Sequence, residues 1–160
     1  GWTPFVLDSN GNGKRDAYVE PDQPADPAKD RRINASLYSI AVSPADGSVW
    51  GSWLGFPGSI IRIAPGPDPT VTALAEIYQP PWDAKTPVQG YAPRGLDVDQ
   101  SGVVWTVLAS GHFASFDRRK CKVVNGPAAS GQHCPEGWAL HAFPMPSNFT
   151  PRRMNGITVV

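Results

Sequence analysis

Two stretches of the chain follow one plan, YSIAVSPADGSVWGSW (residues 38–53) and RGLDVDQSGVVWTVL (residues 94–108). In each stretch, alternating apolar residues lead into a glycine-containing turn, and the alternation then resumes up to a Val-Trp pair. Alternation with a period of two on both sides of a glycine turn is typical of a β-hairpin with one buried face. The two stretches therefore predict equivalent hairpins, with Trp50 and Trp105 at corresponding packing positions.

Each hairpin is followed by two further candidate strands, which gives the repeat four strands. GSIIRIAPG (58–66) and TVTALAEIYQP (70–80) follow the first hairpin, and GHFASFDRRKCKVV (111–124) and EGWALHAFPMP (136–146) follow the second. The copies start about 55 residues apart, a spacing that suits a propeller blade with loop insertions. The 18 prolines and 16 glycines favour short strands joined by turns over helices. We therefore predict an all-β fold made of four-stranded antiparallel blades of an incomplete β-propeller.

The repeat divides the chain into four parts. Residues 37–92 and 93–150 are predicted to be blades, and the second blade carries a cysteine loop. Residues 1–36 are predicted to end a preceding blade, and residues 151–160 to supply the first strand of a following one. We expect the chain to be a fragment of a longer protein, because both of its ends fall inside predicted strands. Two blades alone leave apolar faces bare, so the expected partners are the remaining blades of a parent chain or further copies of this chain.

The repeat motifs resemble those of the streptogramin B lyase (virginiamycin B lyase) family. The resemblance covers residues 37–160 and rests on the two hairpins, on GSIIRIAPG, and on GITVV at residues 156–160. It implies a seven-bladed propeller, of which this chain holds two full blades and pieces. It also implies a carbon-oxygen lyase that uses a histidine base and Mg²⁺. His112, His133 and His141 do not match the catalytic motif of the family, so no catalytic residue is assigned.

The stretch DSNGNGKRD (residues 8–16) resembles the start of an EF-hand-like calcium loop. Such a loop takes side-chain oxygens from its first, third and fifth positions, a carbonyl from the seventh and a water-linked group from the ninth, with glycine at the sixth. Those positions are filled in order by Asp8, Asn10, Asn12, Lys14 and Asp16, with Gly13 at the bend. The alternative is a tight turn in which the Asn-Gly pairs supply positive φ angles.

The calcium interpretation lacks the usual glutamate at the twelfth position, which is Val19. Glu20 or Asp22 would have to reach in, and Glu20 is the proposed ligand. Lys14 and Arg15 place positive charge on the loop, so weak Ca²⁺ affinity is expected. The following segment, residues 19–32, shows no apolar periodicity and is predicted to be a polar surface excursion whose charged residues solvate it.

Cys121 and Cys134 bracket a loop rich in small residues and are predicted to form a disulfide. A disulfide indicates an oxidising compartment, so the expected location is the periplasm or the outside of the cell. Two alternatives are reduced, unrelated thiols and a zinc site that uses His133 beside Cys134.

Three of the six tryptophans, Trp53, Trp82 and Trp138, are candidates for a ligand surface, with packing in the core as the alternative. The formal net charge is zero and no basic stripe or long apolar run is present, so we expect no nucleic-acid partner and no membrane insertion. The expected function is that of a non-catalytic binding or assembly module with a structural Ca²⁺ loop. The alternative is part of a Mg²⁺-dependent lyase whose site other blades complete.

Overall fold

Short β-strands form nearly all of the regular structure in the described part of the chain. The computed structural model describes residues 2–82 and 89–144, together with the backbone of residues 152–154 and 157–159. Within these residues the only α-helix is the single turn α1 (Pro69–Thr72), and two 3-10 turns lie at Arg118–Lys120 and Pro135–Gly137. The predicted all-β class is confirmed.

The first sheet has seven strands, four of which form an antiparallel meander. In chain order the strands are β1 (Phe5–Leu7), β2 (Tyr18–Val19), β3 (Asp30–Ile33), β4 (Leu37–Val42), β5 (Val49–Trp53), β6 (Ser59–Ala64) and β7 (Leu74–Tyr78). They lie in the order β2-β3-β1-β7-β6-β5-β4. The first predicted hairpin is confirmed, since β4 pairs with β5 and Val42 lies opposite Val49.

The second sheet is an antiparallel meander of the same kind. Its strands are β8 (Pro93–Val98), β9 (Val104–Leu108), β10 (His112–Phe116) and β11 (Trp138–Ala142). The second predicted hairpin is confirmed as well, with Val98 opposite Val104. Near the C-terminus, β12 (Arg152–Met154) and β13 (Ile157–Val159) pair with each other and with neither of the larger sheets.

The fourth strand of the first meander starts later than the sequence predicts. Asp68 precedes α1, and its side chain accepts a hydrogen bond from the backbone N–H of Thr70. Pro69 occupies the first helical turn, where its missing N–H costs nothing. This cap turns residues 69–72 into a helical turn, so β7 begins only at Leu74.

The N-terminal strands β1 to β3 form a ribbon that joins the first sheet at its outer edge. β1 pairs with β7 at one residue pair, Leu7 with Ala75, in parallel. Phe5, Leu7 and Ile33 also pack against the buried residues of β6 and β7. The ribbon therefore extends this sheet at its β7 edge, and its apolar side chains add to the face that carries the buried residues of β6 and β7.

The two sheets pack face to face through an aromatic core. Trp50 and Tyr78 of the first sheet meet Phe116 of the second, and all three are buried. The ring centroids of Tyr78 and Phe116 are 4.5 Å apart, and those of Trp50 and Phe116 are 6.0 Å apart. Val98 and Val104 of the second sheet complete this core, which both meanders share.

An ion network fixes the rim of the interface between the sheets. The carboxylate of Glu76 accepts hydrogen bonds from Arg62 in the same sheet and from both the Nε and Nη2 atoms of Arg118. The Tyr78 hydroxyl donates to the same carboxylate at 2.6 Å. Hydrogen bonding to Glu76 is the main cause that raises the pKa of Arg118 above its usual value. Because a bidentate pair fixes geometry as well as charge, this network sets how the second sheet sits on the first.

The predicted disulfide between Cys121 and Cys134 is confirmed, and it closes the loop between β10 and β11. Paired cysteines leave no thiol for the reduced or zinc-binding alternatives. A disulfide of this kind is typical of an oxidising compartment. Among the residues that the structure describes, no helix has the length and apolar character needed to cross a membrane.

Replacement of Trp50 by alanine is expected to lower the free energy of unfolding by about 3–5 kcal/mol, because it removes the largest side chain buried between the sheets. The same replacement at Trp105, which is only half-buried, is expected to cost clearly less. Urea unfolding at low protein concentration measures both losses. Equal losses for the two variants would contradict the burial of Trp50 at the interface.

Removal of the disulfide by the double change Cys121→Ser and Cys134→Ser is expected to lower the free energy of unfolding by about 3 kcal/mol. The physical reason is the extra freedom of the unfolded chain once a loop with a sequence separation of 13 is opened. Thermal or urea unfolding of the variant and of the oxidised native protein measures the loss. Native protein kept in reductant serves as the control and should match the variant; no loss in either sample would count against the prediction.

Candidate functional site

The Asp8 loop, residues 8–16, is wrapped around the carboxylate of its first residue. Oδ1 of Asp8 accepts hydrogen bonds from the backbone N–H groups of Gly11 and Asn12, at 2.8 and 3.1 Å. Oδ2 accepts from the N–H of Gly13 and from the side chain of Asn125, both at 2.8 Å. Gly11 and Gly13 have φ angles of 80° and 78°, which residues with a side chain rarely adopt. Both a calcium loop and a tight turn would show these hydrogen bonds and φ angles, so they do not distinguish the two interpretations.

The polar side chains of the Asp8 loop converge on Asp16. The amide groups of Asn10 and Asn12 both donate to Oδ2 of Asp16. Their oxygens accept the backbone N–H groups of Asn12 and Lys14. The hydrogen bond from Asn12, followed by that from Asn10, lowers the pKa of Asp16. The structure therefore brings together five of the predicted ligand residues, from Asp8 to Asp16.

Glu20, the sixth predicted ligand, makes a different contact. Its Oε2 atom accepts a hydrogen bond from Nη1 of Arg32 at 2.6 Å, in an ion pair between the end of β2 and strand β3. β2 runs parallel to β3, with Val19 opposite Arg31, and this register brings Glu20 to Arg32. The carboxylate of Glu20 therefore pairs with Arg32, and within the described residues Glu20 makes no hydrogen bond to the Asp8 loop.

Asp30 is the acidic residue that the sequence analysis missed. We expected the charged residues of 19–32 to solvate a surface excursion, but Asp30 is the first residue of β3 and is fully buried. Its Oδ2 atom accepts the backbone N–H of Asp16 at 2.7 Å, while its Oδ1 atom is buried without a hydrogen-bond partner. Burial is the main cause that raises the pKa of Asp30 above its usual value, and the charges of Asp8 and Asp16 add to it.

Carboxylates alone do not form a metal site in this structure. Within residues 2–82 and 89–144, no group of three or more His, Cys, Asp or Glu side chains is arranged to hold a metal ion. A calcium loop also takes ligands from side-chain amide and main-chain carbonyl oxygens, which do not belong to His, Cys, Asp or Glu side chains. Any ion at the Asp8 loop would therefore depend on Asn10, Asn12 and backbone oxygens as well as on carboxylates.

The disulfide loop is attached to the Asp8 loop. The backbone N–H of Gly126 donates to the carbonyl oxygen of Asp8 at 2.7 Å, and the side chain of Asn125 reaches the Asp8 carboxylate. The two loops border a small cleft of about 170 Å³ that Glu76 and Arg118 also line. Two segments more than 100 residues apart in sequence are thus held together at the end of β1.

Two apolar surfaces on the sheets are open. The first, here called the Trp105 face, consists of Trp105, Val107 and Phe113 on the side of the second sheet that points away from the first. Trp105 stacks on Phe113 with ring centroids 5.4 Å apart, and Val107 lies opposite Phe113 in the sheet. Val107 and Phe113 are 36% and 38% exposed, which is unusual for large apolar residues in the middle of strands.

The second open surface, here called the Ile40 strip, runs along β4. It consists of Tyr38, Ile40 and Val42, which are 60%, 65% and 62% exposed. These residues alternate with Ser39 and Ala41, and Ala41 packs into the aromatic core. The Ile40 strip therefore lies on the side of the first sheet opposite the second sheet, at the edge strand farthest from the N-terminal ribbon.

The three candidate ligand-surface tryptophans lie in three environments. Trp138 is buried against Phe116 in the core between the sheets, as in the core-packing alternative. Trp53 packs beside the buried residues of β6 and β7. Trp82 makes edge contacts with Phe56 and Tyr91, at centroid distances of 4.9 and 5.6 Å. The structure does not bring the three together into one surface.

The histidines make separate local contacts. Nδ1 of His112 lies 3.0 Å from the Ser110 hydroxyl, and burial lowers the pKa of His112. His133 packs against the ring of Tyr78, and burial lowers its pKa as well. His141 is exposed on β11. These contacts correspond to packing and surface roles.

Comparisons of this chain with protein-family models, with curated proteins and with solved structures found no match. The resemblance to the streptogramin B lyase family therefore stays a hypothesis that rests on the repeat motifs alone.

Proposed function

We propose that this chain is a non-catalytic assembly module of a secreted or periplasmic β-propeller, in which four-stranded sheets stack face to face. One observation carries the proposal: each of the two surfaces that meet between the sheets has an exposed counterpart. The counterpart of the Trp50 surface is the Trp105 face, and the counterpart of the surface that packs on Trp50 is the Ile40 strip. Trp50 is 2% exposed because the second sheet covers it. Trp105 holds the same position in its own sheet, and the Trp105 face has no third sheet of this kind against it in the described ranges.

The covered interface indicates which residues should meet in the next contact. Leu96 and Val98 of β8 pack into the core that Trp50 and Tyr78 form. By their pairing within the hairpins, Leu96 and Val98 correspond to Ile40 and Val42 of β4. The Ile40 strip is therefore equivalent to the surface of Leu96 and Val98, which packs on the face that carries Trp50. Its expected partner is the Trp105 face of another sheet pair.

Such a contact joins two different surfaces, so it is heterologous. Heterologous contacts extend in one direction and produce a ring where the rotation closes and an open stack where it does not. The covering sheets come from a parent chain or, for the isolated chain, from a second copy.

A structural Ca²⁺ ion in the Asp8 loop is the second part of the proposal. The loop would be held closed by the ion at the junction of the ribbon and the disulfide loop, where it would order backbone and perform no chemistry. The disulfide supports placement in the periplasm or outside the cell. No arrangement within residues 2–82 and 89–144 favours the lyase alternative over the assembly function.

The stacking contact can be tested with one variant for each surface. Ile40→Asp disables the strip and Phe113→Asp disables the Trp105 face, because each places a charge in an apolar contact. We expect the native chain to associate as its concentration rises, and each variant alone to stay monomeric. A mixture of the two variants should form a one-to-one dimer that does not grow, since each retains the surface that the other lacks. Sedimentation velocity measures all four samples.

Val71→Asp is the matched control, because Val71 is an exposed apolar residue on α1, outside both surfaces. This variant should associate like the native chain. A native chain that stays monomeric at high concentration would count against self-stacking. A mixture of Ile40→Asp and Phe113→Asp that fails to dimerise would show that the two surfaces are not each other's partners.

A further inference from the structure

Two carboxylates, those of Asp8 and Asp30, lie near each other at one end of the N-terminal ribbon. β1 and β3 are antiparallel, with Val6 opposite Arg32 and Leu7 opposite Arg31. Continued by one residue beyond the end of β1, this register would bring Asp8 opposite Asp30, and the charge of Asp8 does act on Asp30 to raise its pKa. Like charges directly opposite each other on a sheet destabilise it unless a third group compensates them. Both residues are buried, at 7% and 0% exposure, so water does not supply that compensation.

The hydrogen bonds around the pair leave one oxygen without a partner. Asp8 accepts four hydrogen bonds, which satisfy its carboxylate. Asp30 accepts one at Oδ2 from the Asp16 N–H, and its Oδ1 atom is buried without a hydrogen-bond partner, although the backbone N–H of Asn10 lies near enough to lower the pKa of Asp30. A buried unpaired carboxylate oxygen is costly and rare in folded proteins, and an unfilled ion site is one of the physical reasons for such an atom.

The nearby cationic side chain of Arg15 is directed to other partners. Its Nη1 atom donates to the Thr3 hydroxyl and to the Thr70 carbonyl, and its guanidinium lies over the Tyr18 ring. Arg15 therefore does not pair with Asp8, Asp16 or Asp30, and the nearby positive charge that acts on this set is that of Lys14 on Asp16. Asn10 and Asn12 add neutral oxygens beside them. A hard divalent cation with many oxygen ligands suits this set, and Ca²⁺ tolerates such irregular geometry better than Mg²⁺.

We propose that Asp30 is the acidic ligand that completes a Ca²⁺ site in the Asp8 loop, through its Oδ1 atom and in the role first assigned to Glu20. This inference rests on the proposed calcium loop and specifies its missing ligand. The ion would join the loop after β1 to the start of β3. Through Asn125 and Gly126 it would also stabilise the attachment of the disulfide loop.

The test compares Asp30→Asn with Glu20→Gln in calcium titrations of the whole chain by isothermal calorimetry, after exhaustive chelation. Asparagine keeps an acceptor for the Asp16 N–H and removes the charge, so the variant retains the local hydrogen bond. We expect Asp30→Asn to weaken Ca²⁺ binding by about tenfold or more, because the number of charged ligands sets the affinity of such sites. Glu20→Gln should bind like the native chain.

Thermal unfolding with and without Ca²⁺ separates loss of a ligand from loss of the fold. The melting temperature of the native chain should rise by several degrees with Ca²⁺. In chelator, Asp30→Asn should melt no lower than the native chain, because it removes an unpaired buried charge. A lower melting temperature of this variant in chelator would mean that Asp30 is structural, and would overturn its assignment as a ligand.

The outcomes distinguish this inference from the calcium loop itself. Native protein that binds no Ca²⁺ would overturn both. Native binding that survives Asp30→Asn, or that is lost in Glu20→Gln, would overturn the role of Asp30 and leave the loop standing. A crystal structure of the native chain grown with CaCl₂ gives an answer without any variant: Oδ1 of Asp30 should lie about 2.3–2.6 Å from the ion.

Discussion

The packing of Trp50 and Tyr78 against Phe116 is the interaction on which the rest of the structure depends. The two four-stranded meanders share one aromatic core, because each buries one face against the other. The same contact is tied to charge, because the Tyr78 hydroxyl donates to the carboxylate of Glu76 that also binds Arg118. The aromatic rings supply the area that is removed from water, and the bidentate pair fixes the rotation of one sheet on the other.

Both tryptophans of the repeat are held from within their own hairpins. The indole N–H of Trp105 donates to Asp99 of its turn at 2.9 Å. That of Trp50 donates to Ser48, whose hydroxyl is bonded to Asp46 of its turn. Hydrogen bonds from Trp105 and Ser101 are the main causes that lower the pKa of Asp99, so this turn accepts the indole as a carboxylate. The tryptophan of an open face is therefore already oriented before any partner covers it, which reduces the entropy lost on stacking.

The sequence predicted what depends on local pattern and missed what depends on long-range register. Both hairpins follow from alternation around glycine turns, and the disulfide follows from a short flexible loop between two cysteines. Asp30 could not be found in this way, because its burial results from the pairing of β3 with β1, two short strands separated by an irregular segment. Glu20 was chosen for its nearness in sequence, whereas the parallel pairing of β2 with β3 brings it to Arg32. The late start of β7 did have a local signal, the Asp-Pro cap before α1, which apolar alternation outweighed.

The two faces of the first sheet pack in different ways. On one side, the second sheet is held by aromatic packing and by the pair of Glu76 with Arg118. On the other, the ribbon of β1 to β3 extends the sheet beside β7, and the carboxylates of Asp8 and Asp30 lie near each other at its end. Apolar contacts of Phe5, Leu7 and Ile33 hold the ribbon to the buried residues of β6 and β7, while repulsion from Asp8 and Asp16 adds to the burial that raises the pKa of Asp30. A cation at that end would remove the repulsion without touching the apolar contacts. The order of the ribbon would then depend on calcium, whereas the interface between the two sheets would not.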